Sequence, residues 1–327
     1  MKREVAPVSA VIAAYNAERF IAETIASAQA QTVPVAEIIV VADGSTDATA
    51  QIAESMGARV LNANCPGLSA ARNKCVREST QPWVAFLDSD DTWEPEKIER
   101  QTQLAADHPE LALITCDYNT FSETGMLCDS ALQKYADGYG VQSKRLTVQG
   151  AVIDRLDSNF DDAYYFLLAS NVMVRRDVLT QTGFFDESLH SADDFDCFMR
   201  VLAHHPFGVV ESVLVNKRQH PAGTSMRNPQ ATLSCLAATY KVLEHPELYP
   251  AATVKLCQRW LPGNLRHAGA RLVWNGDAKQ GRDFLMQSVR LEFSWRTLLA
   301  LAASIAPGSA SRGLMKARYY FGAALGI

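Results

Sequence analysis

The chain is poor in the signatures that would assign it most directly. Its seven cysteines are scattered, none forming a C-x-x-C pair. The odd count and wide spacing argue against a disulfide framework and against a zinc site, so a reducing, cytoplasmic setting is expected. No G-x-G-x-x-G follows the first apolar run, and no G-x-x-x-x-G-K-[ST] occurs anywhere. This disfavours an ordinary nicotinamide-dependent enzyme and a P-loop ATPase. No stretch reaches the ~18 apolar residues that a membrane-spanning helix needs. The opening Met-Lys-Arg-Glu-Val-Ala-Pro is basic but shows no cleavage signature, so no signal peptide is expected.

What is present is ordinary globular composition over 327 residues, with 48% hydrophobic and 20% charged. The net charge of −5 is unevenly spread. From Gln230 onward there are twelve Lys and Arg against five Asp and Glu, leaving 19 against 31 in the remainder. An acidic body with a basic tail points to a composite architecture.

The first 120 residues alternate apolar runs with helical periodicity. Val8–Ala14, Glu37–Ala42, Ala58–Leu61, Trp83–Leu87 and Leu111–Cys116 read as buried strands. Between them, Phe20, Ile21, Thr24, Ile25 and Ala28 recur at helical spacing, and Leu68–Val76 reads as a helix. Asp43-Gly-Ser-Thr-Asp47 is expected to turn the chain and cap a helix, and another helix to start near Pro95. Such alternation predicts a mostly parallel, Rossmann-like α/β sheet flanked by helices, with ligands at the carboxyl ends of its strands. Tyr118–Asp162 is weakly periodic and polar and reads as a variable, acceptor-side insertion. Order returns at Leu167–Arg175, a helix is expected from about Ala192, Gly208–His220 is strand-like, and Gln230 to the end reads as helical. The division is 1–229, split at 117/118, and a helical extension over 230–327.

Four clusters could carry chemistry. Asp88-Ser89-Asp90-Asp91 closes an apolar run, so three carboxylates crowd one strand end. Hard oxygen ligands of this kind suit Mg²⁺ or Mn²⁺ holding phosphates, although the same residues make good turns and caps. Asp43 could accept from the imide N–H of uracil or thymine, or serve only its turn. Arg72, in Gly67-Leu-Ser-Ala-Ala-Arg-Asn, could reach a diphosphate, steady the acidic cluster, or be a solvated helix residue. Asp193, Asp194 and Asp196 stand at a helix start. One reading is a capping box from Ser191 to Asp194; the other is a general base facing a sugar hydroxyl. His220 could be a metal ligand or a structural turn residue.

Taken in order, these segments resemble the inverting family 2 glycosyltransferases of GT-A fold over about Val8 to Ser225. The resemblance rests on Ala13-Ala14-Tyr15-Asn16-Ala17-Glu18, Asp43-Gly-Ser-Thr-Asp47, Arg72-Asn73, Asp88-Ser89-Asp90-Asp91, Gly183-Phe-Phe-Asp186-Glu187, Asp193-Asp194 with Arg200, and Arg218 with His220-Pro. It implies transfer of a sugar from a nucleoside-diphosphate donor in one inverting step, with a divalent metal as cofactor. Tyr15 and Glu18 would line the nucleotide pocket and Asp43 would meet the base. Asp88 would serve the ribose, Asp90 the metal, and His220 the metal or diphosphate. Arg72 would stabilise the leaving diphosphate, and Ala13, Ser89 and Asp193 would complete the donor site. Asp194 would be the catalytic base. The sequence departs from the family pattern at Ala13, where many relatives have Pro, at Ala42, where many have Asp, and at Asp193, where Glu is more usual.

The implied partners are the nucleotide-sugar donor and a saccharide or lipid-linked saccharide acceptor; no nucleic acid is expected. Trp295–Ala306, with Arg290, Arg296, Arg312, Lys316, Arg318 and nearby aromatics, is too short to span a bilayer. It could lie on an anionic membrane surface, cap the catalytic domain, or join a homodimer. Two other functions compete: a catalytically silent nucleotide-sugar-binding scaffold on the same fold, and a nucleotidyltransferase. The second would be expected to carry a Gly-rich phosphate loop with Lys where this chain has Ala13-Ala14-Tyr15-Asn16.

Overall fold

The computed structural model describes residues 4–42, 44–61, 65–134, 151–153, 167–221, 223 and 231–305. The apolar runs form the strands expected of them. β1 (Ala6–Ala13), β2 (Val35–Val41), β3 (Arg59–Leu61) and β4 (Trp83–Phe86) pair in parallel, with β1 central between β2 and β4. Helices α1 (Ile21–Gln29), α2 (Thr49–Ser55) and α3 (Leu68–Glu78) connect them. Val8, Ile12, Ile25, Val40 and Phe86 are buried together in the main core. Full burial of each such side chain contributes about 1.5–3 kcal/mol.

The sheet continues in mixed sense. Its order is β3-β2-β1-β4-β9-β6-β10-β5, where β5 is Thr92–Trp93, β6 Leu113–Ser122, β9 Met173–Arg175 and β10 Phe207–Gln219. β9 runs antiparallel to both β4 and β6, so β4 and β6 point the same way. β10 pairs in parallel with β6 along its length. The carboxyl ends of β1, β2, β4, β6 and β10 therefore meet at one edge of the molecule.

Two sequence expectations change here. β6 does not end at Cys116 but runs to Ser122 and turns back through β7 (Gly125–Cys128). Its polar residues are accommodated by specific bonds: Asn119 Nδ2 donates to Asn216 Oδ1 at 2.6 Å, and Ser130 Oγ donates to Asp117 Oδ2 at 2.5 Å. Residues 135–150 and 154–166, most of the acceptor-side insertion, lie outside the described residues, apart from the short strand β8 (Ala151–Ile153). The helix expected near Pro95 is α4 (Lys97–Asp107). Its Lys97 is fully buried, donating to Gln101 Oε1 at 2.8 Å and lying 4.2 Å from the Trp93 ring centroid.

Helices α5 (Arg176–Gln181) and α6 (Asp193–Leu202) precede β10. The carboxyl-terminal part is helical as expected: α7 (Ala231–Glu244), α8 (Ala251–Asn275), α9 (Ala278–Leu291) and α10 (Trp295–Ile305). Residues 306–327 lie outside the described residues. Val242, Tyr249 and Cys257 belong to the same core as the sheet, so these helices are packed onto the α/β body. Among the described residues no helix is long and apolar enough to cross a membrane.

Helices α8 and α9 cross at two glycines. A Cβ on Gly269 would stand 2.7 Å from the Gly281 carbonyl oxygen and 2.8 Å from Leu285 Cγ. Alanine normally improves on glycine in a helix by about 1 kcal/mol. Here steric conflict should outweigh propensity, and Gly269→Ala is expected to destabilise by about 1–3 kcal/mol in urea denaturation. A gain in stability would refute the close crossing.

Candidate active site

The loops after β1 and β2 are knitted together. Asn16, in the left-handed region at φ 47°, accepts from Thr46 N–H at 2.8 Å and donates its own N–H to Ser45 Oγ at 3.0 Å. Ala17 N–H donates to Thr49 Oγ1 at 2.8 Å. Glu18 N–H donates to Asp47 Oδ2 while Glu18 Oε2 accepts from Ala48 N–H, both at 3.1 Å. Glu18 and Asp47 thus brace the turn leading into α2, Asp47 Oδ1 accepting from Thr49 N–H at 3.0 Å, while Ala48, the residue before the helix, has no side-chain cap. Asp43 lies outside the described residues. Ala13 is buried at the end of β1, and Tyr15 is 68% exposed with its ring against the Gly44 turn. An exposed ring beside this turn can stack on a planar ligand.

Asp88–Asp91 leave β4 as a tight, heavily bonded loop. Asp88 N–H donates to Ser170 Oγ at 3.1 Å, and Ser170 Oγ donates to Asp91 Oδ2 at 2.6 Å. Asp91 Oδ1 accepts from Arg218 N–H at 2.9 Å. Of the two readings of this cluster, the helix-cap one does not hold for Asp91. It is buried inside the loop, and α4 begins only at Lys97. Burial first, then the charges of Asp90 and Asp88, pushes its carboxyl up to about 8. Ser89 shapes the loop through its carbonyl, which accepts from Thr24 Oγ1 at 3.0 Å.

Asp90 faces His220: Oδ2 and Nε2 are 2.9 Å apart. Burial, and next the Asp88 charge, raises the Asp90 carboxyl above its ordinary value. The His220 ring packs 4.7 Å from Phe20. Arg218 braces the same corner, donating from Nε to the Asp90 carbonyl at 3.0 Å and from Nη2 to Glu23 at 2.6 Å. Its guanidinium lies between the Phe20 and Phe121 rings.

Arg72 joins this loop to α6. Nη2 donates to Asp88 Oδ1 at 2.7 Å and Nη1 to Asp193 Oδ2 at 2.6 Å. Burial works against its charge, but Asp193, Asp88 and Asp194 outweigh it and hold the guanidinium protonated above the usual arginine range. Arg72 is buried, so it is not a solvated helix residue.

Asp194 occupies the first turn of α6, next to this pair. The capping box from Ser191 does not form. Ala192, at φ 58°, is the residue before the helix, and no side chain caps it. The left-handed turn at Ala192 breaks the backbone path that a Ser191 cap would need. Asp194 Oδ1 instead accepts from Phe195 N–H at 2.8 Å. The Asp194 side chain still touches solvent, yet protein surrounds most of it. Burial first, then the Asp193 charge, lifts its carboxyl to about 6, with Arg72 pulling the other way.

One support could not be read from any motif. Asp196, fully buried, is bonded by Arg200 Nη2 at 2.7 Å, Tyr249 Oη at 2.5 Å and Lys241 Nζ at 2.9 Å. Lys241 also reaches Asp186 at 2.5 Å, and Arg200 caps the carbonyls of Thr182 and Phe184. The start of α6 is therefore held from the carboxyl-terminal helices. Ser170 was likewise unmarked: it sits between Asp88 and Asp91, and its carbonyl accepts from Trp93 Nε1 at 2.8 Å. Among the described residues no three His, Cys, Asp or Glu side chains converge on a preformed cation site.

Residues 9–130 match the sequence model of Glycosyl transferase family 2. Over these residues the chain is similar to the family 2 glycosyltransferases. EpsH of Bacillus subtilis is 38% identical over 141 residues, covering 41% of this chain and 40% of EpsH. The Escherichia coli enzyme WfaP, a UDP-Glc:alpha-D-GlcNAc-diphosphoundecaprenol beta-1,3-glucosyltransferase, is 41% identical over 98 residues, covering 29% of this chain and 39% of WfaP. An uncharacterized glycosyltransferase of Rickettsia prowazekii is 28% identical over 225 residues, covering 67% of this chain and 65% of that protein. The chain thus spans 40% of the length of EpsH, 39% of WfaP and 65% of the Rickettsia protein. Among solved structures, Staphylococcus aureus TarS 1–349 with UDP-GlcNAc superposes at TM-score 0.59 and 19% identity, covering 96% of this chain and 92% of that one. The Pyrobaculum calidifontis mannosyltransferase PcManGT, with GDP-Man and Mn²⁺, superposes at 0.56 and 15% identity, covering 96% and 87%. These likenesses confirm the GT-A type of fold.

The family 2 match takes in Ala13, Tyr15, Glu18, Arg72 and Asp88–Asp91. Asp193, Asp194 and His220 lie beyond it, and it is the geometry that brings them to the same sheet edge. Asp193 arrives through Arg72, and His220 through Asp90.

Proposed function

We propose that the protein transfers a sugar from a nucleoside-diphosphate donor, a UDP- or dTDP-sugar, to a saccharide or lipid-linked saccharide acceptor, inverting the anomeric carbon. The observation that carries this reading is the Arg72 bridge. It fixes a carboxyl of raised pKa, Asp194, beside the acidic loop where a diphosphate would be handled. Similarity to proteins whose names or structures include UDP-Glc and UDP-GlcNAc supports the donor class, and the diphosphoundecaprenol acceptor of WfaP supports a lipid-linked acceptor.

In this reading the Tyr15 ring stacks on the nucleobase and Asp43 accepts from its imide N–H. Ala13 and Ser89 border the donor, and Asp88 receives the ribose hydroxyls. Glu18 keeps the nucleotide loops in register. Asp194, as the carboxylate, takes the acceptor hydroxyl proton while the oxygen attacks the anomeric carbon from the face opposite the diphosphate. Holding both substrates in line supplies much of the remaining acceleration. The donor set fits a divalent cation of the Mg²⁺ or Mn²⁺ kind, which takes one or two protein ligands beside substrate phosphates. Asp90 and His220 would hold it, and when bound it would neutralise charge developing on the leaving diphosphate.

The reading is tested by incubating the protein with a panel of nucleotide sugars, acceptors and Mn²⁺, and following release of nucleoside diphosphate and the anomeric configuration of the product. No release from any donor, or a retained configuration, would overturn it. A pH dependence follows. The base must be ionised, and its carboxyl sits at about 6, so kcat should rise as pH increases through about 6 and then level off. A kcat that falls over that interval would remove Asp194 from the role.

A further inference from the structure

Helix α10 is built inside out. Its buried residues are Thr297, Ala300 and Ser304, small or polar, while Trp295 (59% exposed), Leu298, Leu299 (52%) and Ile305 (74%) face outward. Just before it, Leu291 and Phe293 (75%) extend the same apolar surface. The inward face is satisfied without them: Arg282 Nη1 donates to the Ser304 carbonyl at 3.2 Å, and Ser304 Oγ to the Leu301 carbonyl at 2.6 Å. Water-facing helices show the opposite arrangement, and contiguous exposed apolar groups mark an interaction surface.

The charges beside this face are mostly positive, with Glu292, exposed between Leu291 and Phe293, as the carboxylate among them. Arg296 lies 5.6 Å from the Trp295 ring and close enough to Arg266 to depress its pKa, second to the effect of burial. Arg290 is exposed one residue before Leu291. A two-fold contact between copies would set these arginines against one another, because such an interface repeats one patch on both sides. Residues 306–327 carry Arg312, Lys316 and Arg318 and no acidic residue, so folding them over the face would add like charge. Apolar and aromatic side chains ringed by arginine suit an acidic lipid surface, where the chains enter the acyl boundary and the guanidinium groups meet headgroup phosphates. At 11 residues, about 16 Å, the helix can only lie in the interface plane.

We propose that the outward face of α10, with Leu291 and Phe293, docks the protein flat on an anionic lipid bilayer. Such docking is independent of the glycosyltransferase reading, and its test measures binding without turnover.

The full-length protein is sedimented with phosphatidylglycerol vesicles and, separately, with phosphatidylcholine vesicles. It is expected to follow the first and remain largely in the supernatant with the second. Trp295→Ser with Leu299→Ser should lower the apparent affinity for phosphatidylglycerol by about tenfold or more, given the apolar area withdrawn. Ala302→Glu, on the exposed side of the helix, should do so without removing a large side chain. Met126→Ser, exposed on β7, should change nothing. Far-ultraviolet melting of each variant verifies that it is folded. Absence of sedimentation, equal binding to both vesicles, or wild-type binding by Ala302→Glu overturns the proposal. So does a dimer in light scattering that the double variant dissolves while vesicle binding is absent, which would assign the face to a second copy.

Discussion

Asp194→Asn is expected to lower kcat about 10²- to 10⁴-fold, the range for loss of a positioned general base. Donor affinity should change little. The amide has nearly the same shape, its oxygen can still accept from Phe195 N–H, and the Arg72 bonds go to Asp193 and Asp88 rather than to Asp194. Single-turnover rates and donor titration on the same preparation separate the two effects. The rising limb of the pH profile near 6 should also vanish in this variant. Turnover within a few-fold of the native enzyme would transfer the base role elsewhere, and Asp193 could not readily take it, because Arg72 already claims its carboxylate.

The second large effect is on stability. Arg72→Met removes the side chain that bonds both Asp88 and Asp193. Asp88 can rehydrate, since much of its side chain is open to solvent, but Asp193 is almost completely enclosed. A buried carboxylate stripped of its partner costs about 3–5 kcal/mol. Arg72→Met should therefore destabilise by about that amount in urea denaturation. Arg72→Lys should recover only part of it, because an ammonium cannot present two parallel N–H donors to two carboxylates. A loss below about 1 kcal/mol would show that the bridge is not made in solution. The metal and diphosphate chemistry attributed to Asp90 and His220 does not enter this measurement, so stability and catalysis test different parts of the site.

Strands were easiest to read from the amino-acid order. Val8–Ala14, Glu37–Ala42 and Trp83–Leu87 are apolar but for Ser9 and Glu37, which bond each other, because both faces of a central parallel strand are covered. The acidic loop was legible for the opposite reason: three carboxylates at the end of such a run have no structural economy unless something answers their charge. The errors have local causes. Ser191 was read as a cap from its spacing to Asp194, but the left-handed backbone at Ala192 leaves no trace in residue types. β6 was ended too early because Asp117 and Asn119 look like loop residues until their partners Ser130 and Asn216 are known. The cap reading of the acidic cluster fails at Asp91 because its buried environment is made by Ser170 and Arg218, far away in sequence. In each case a distant contact decided what a short window could not.

The clamp on Asp196 bears on when the site becomes complete. β1 and β2 with the loops that follow them can pair early in synthesis, since those partners are near in sequence, whereas β4 also waits for β9. Asp194 is different. Two residues after it, Asp196 waits for Lys241 and Tyr249, which are made only after all the strands. During synthesis the loops after β1 and β2 can bond one another before the start of α6 has its final support, so the carboxyl proposed as the base is set late.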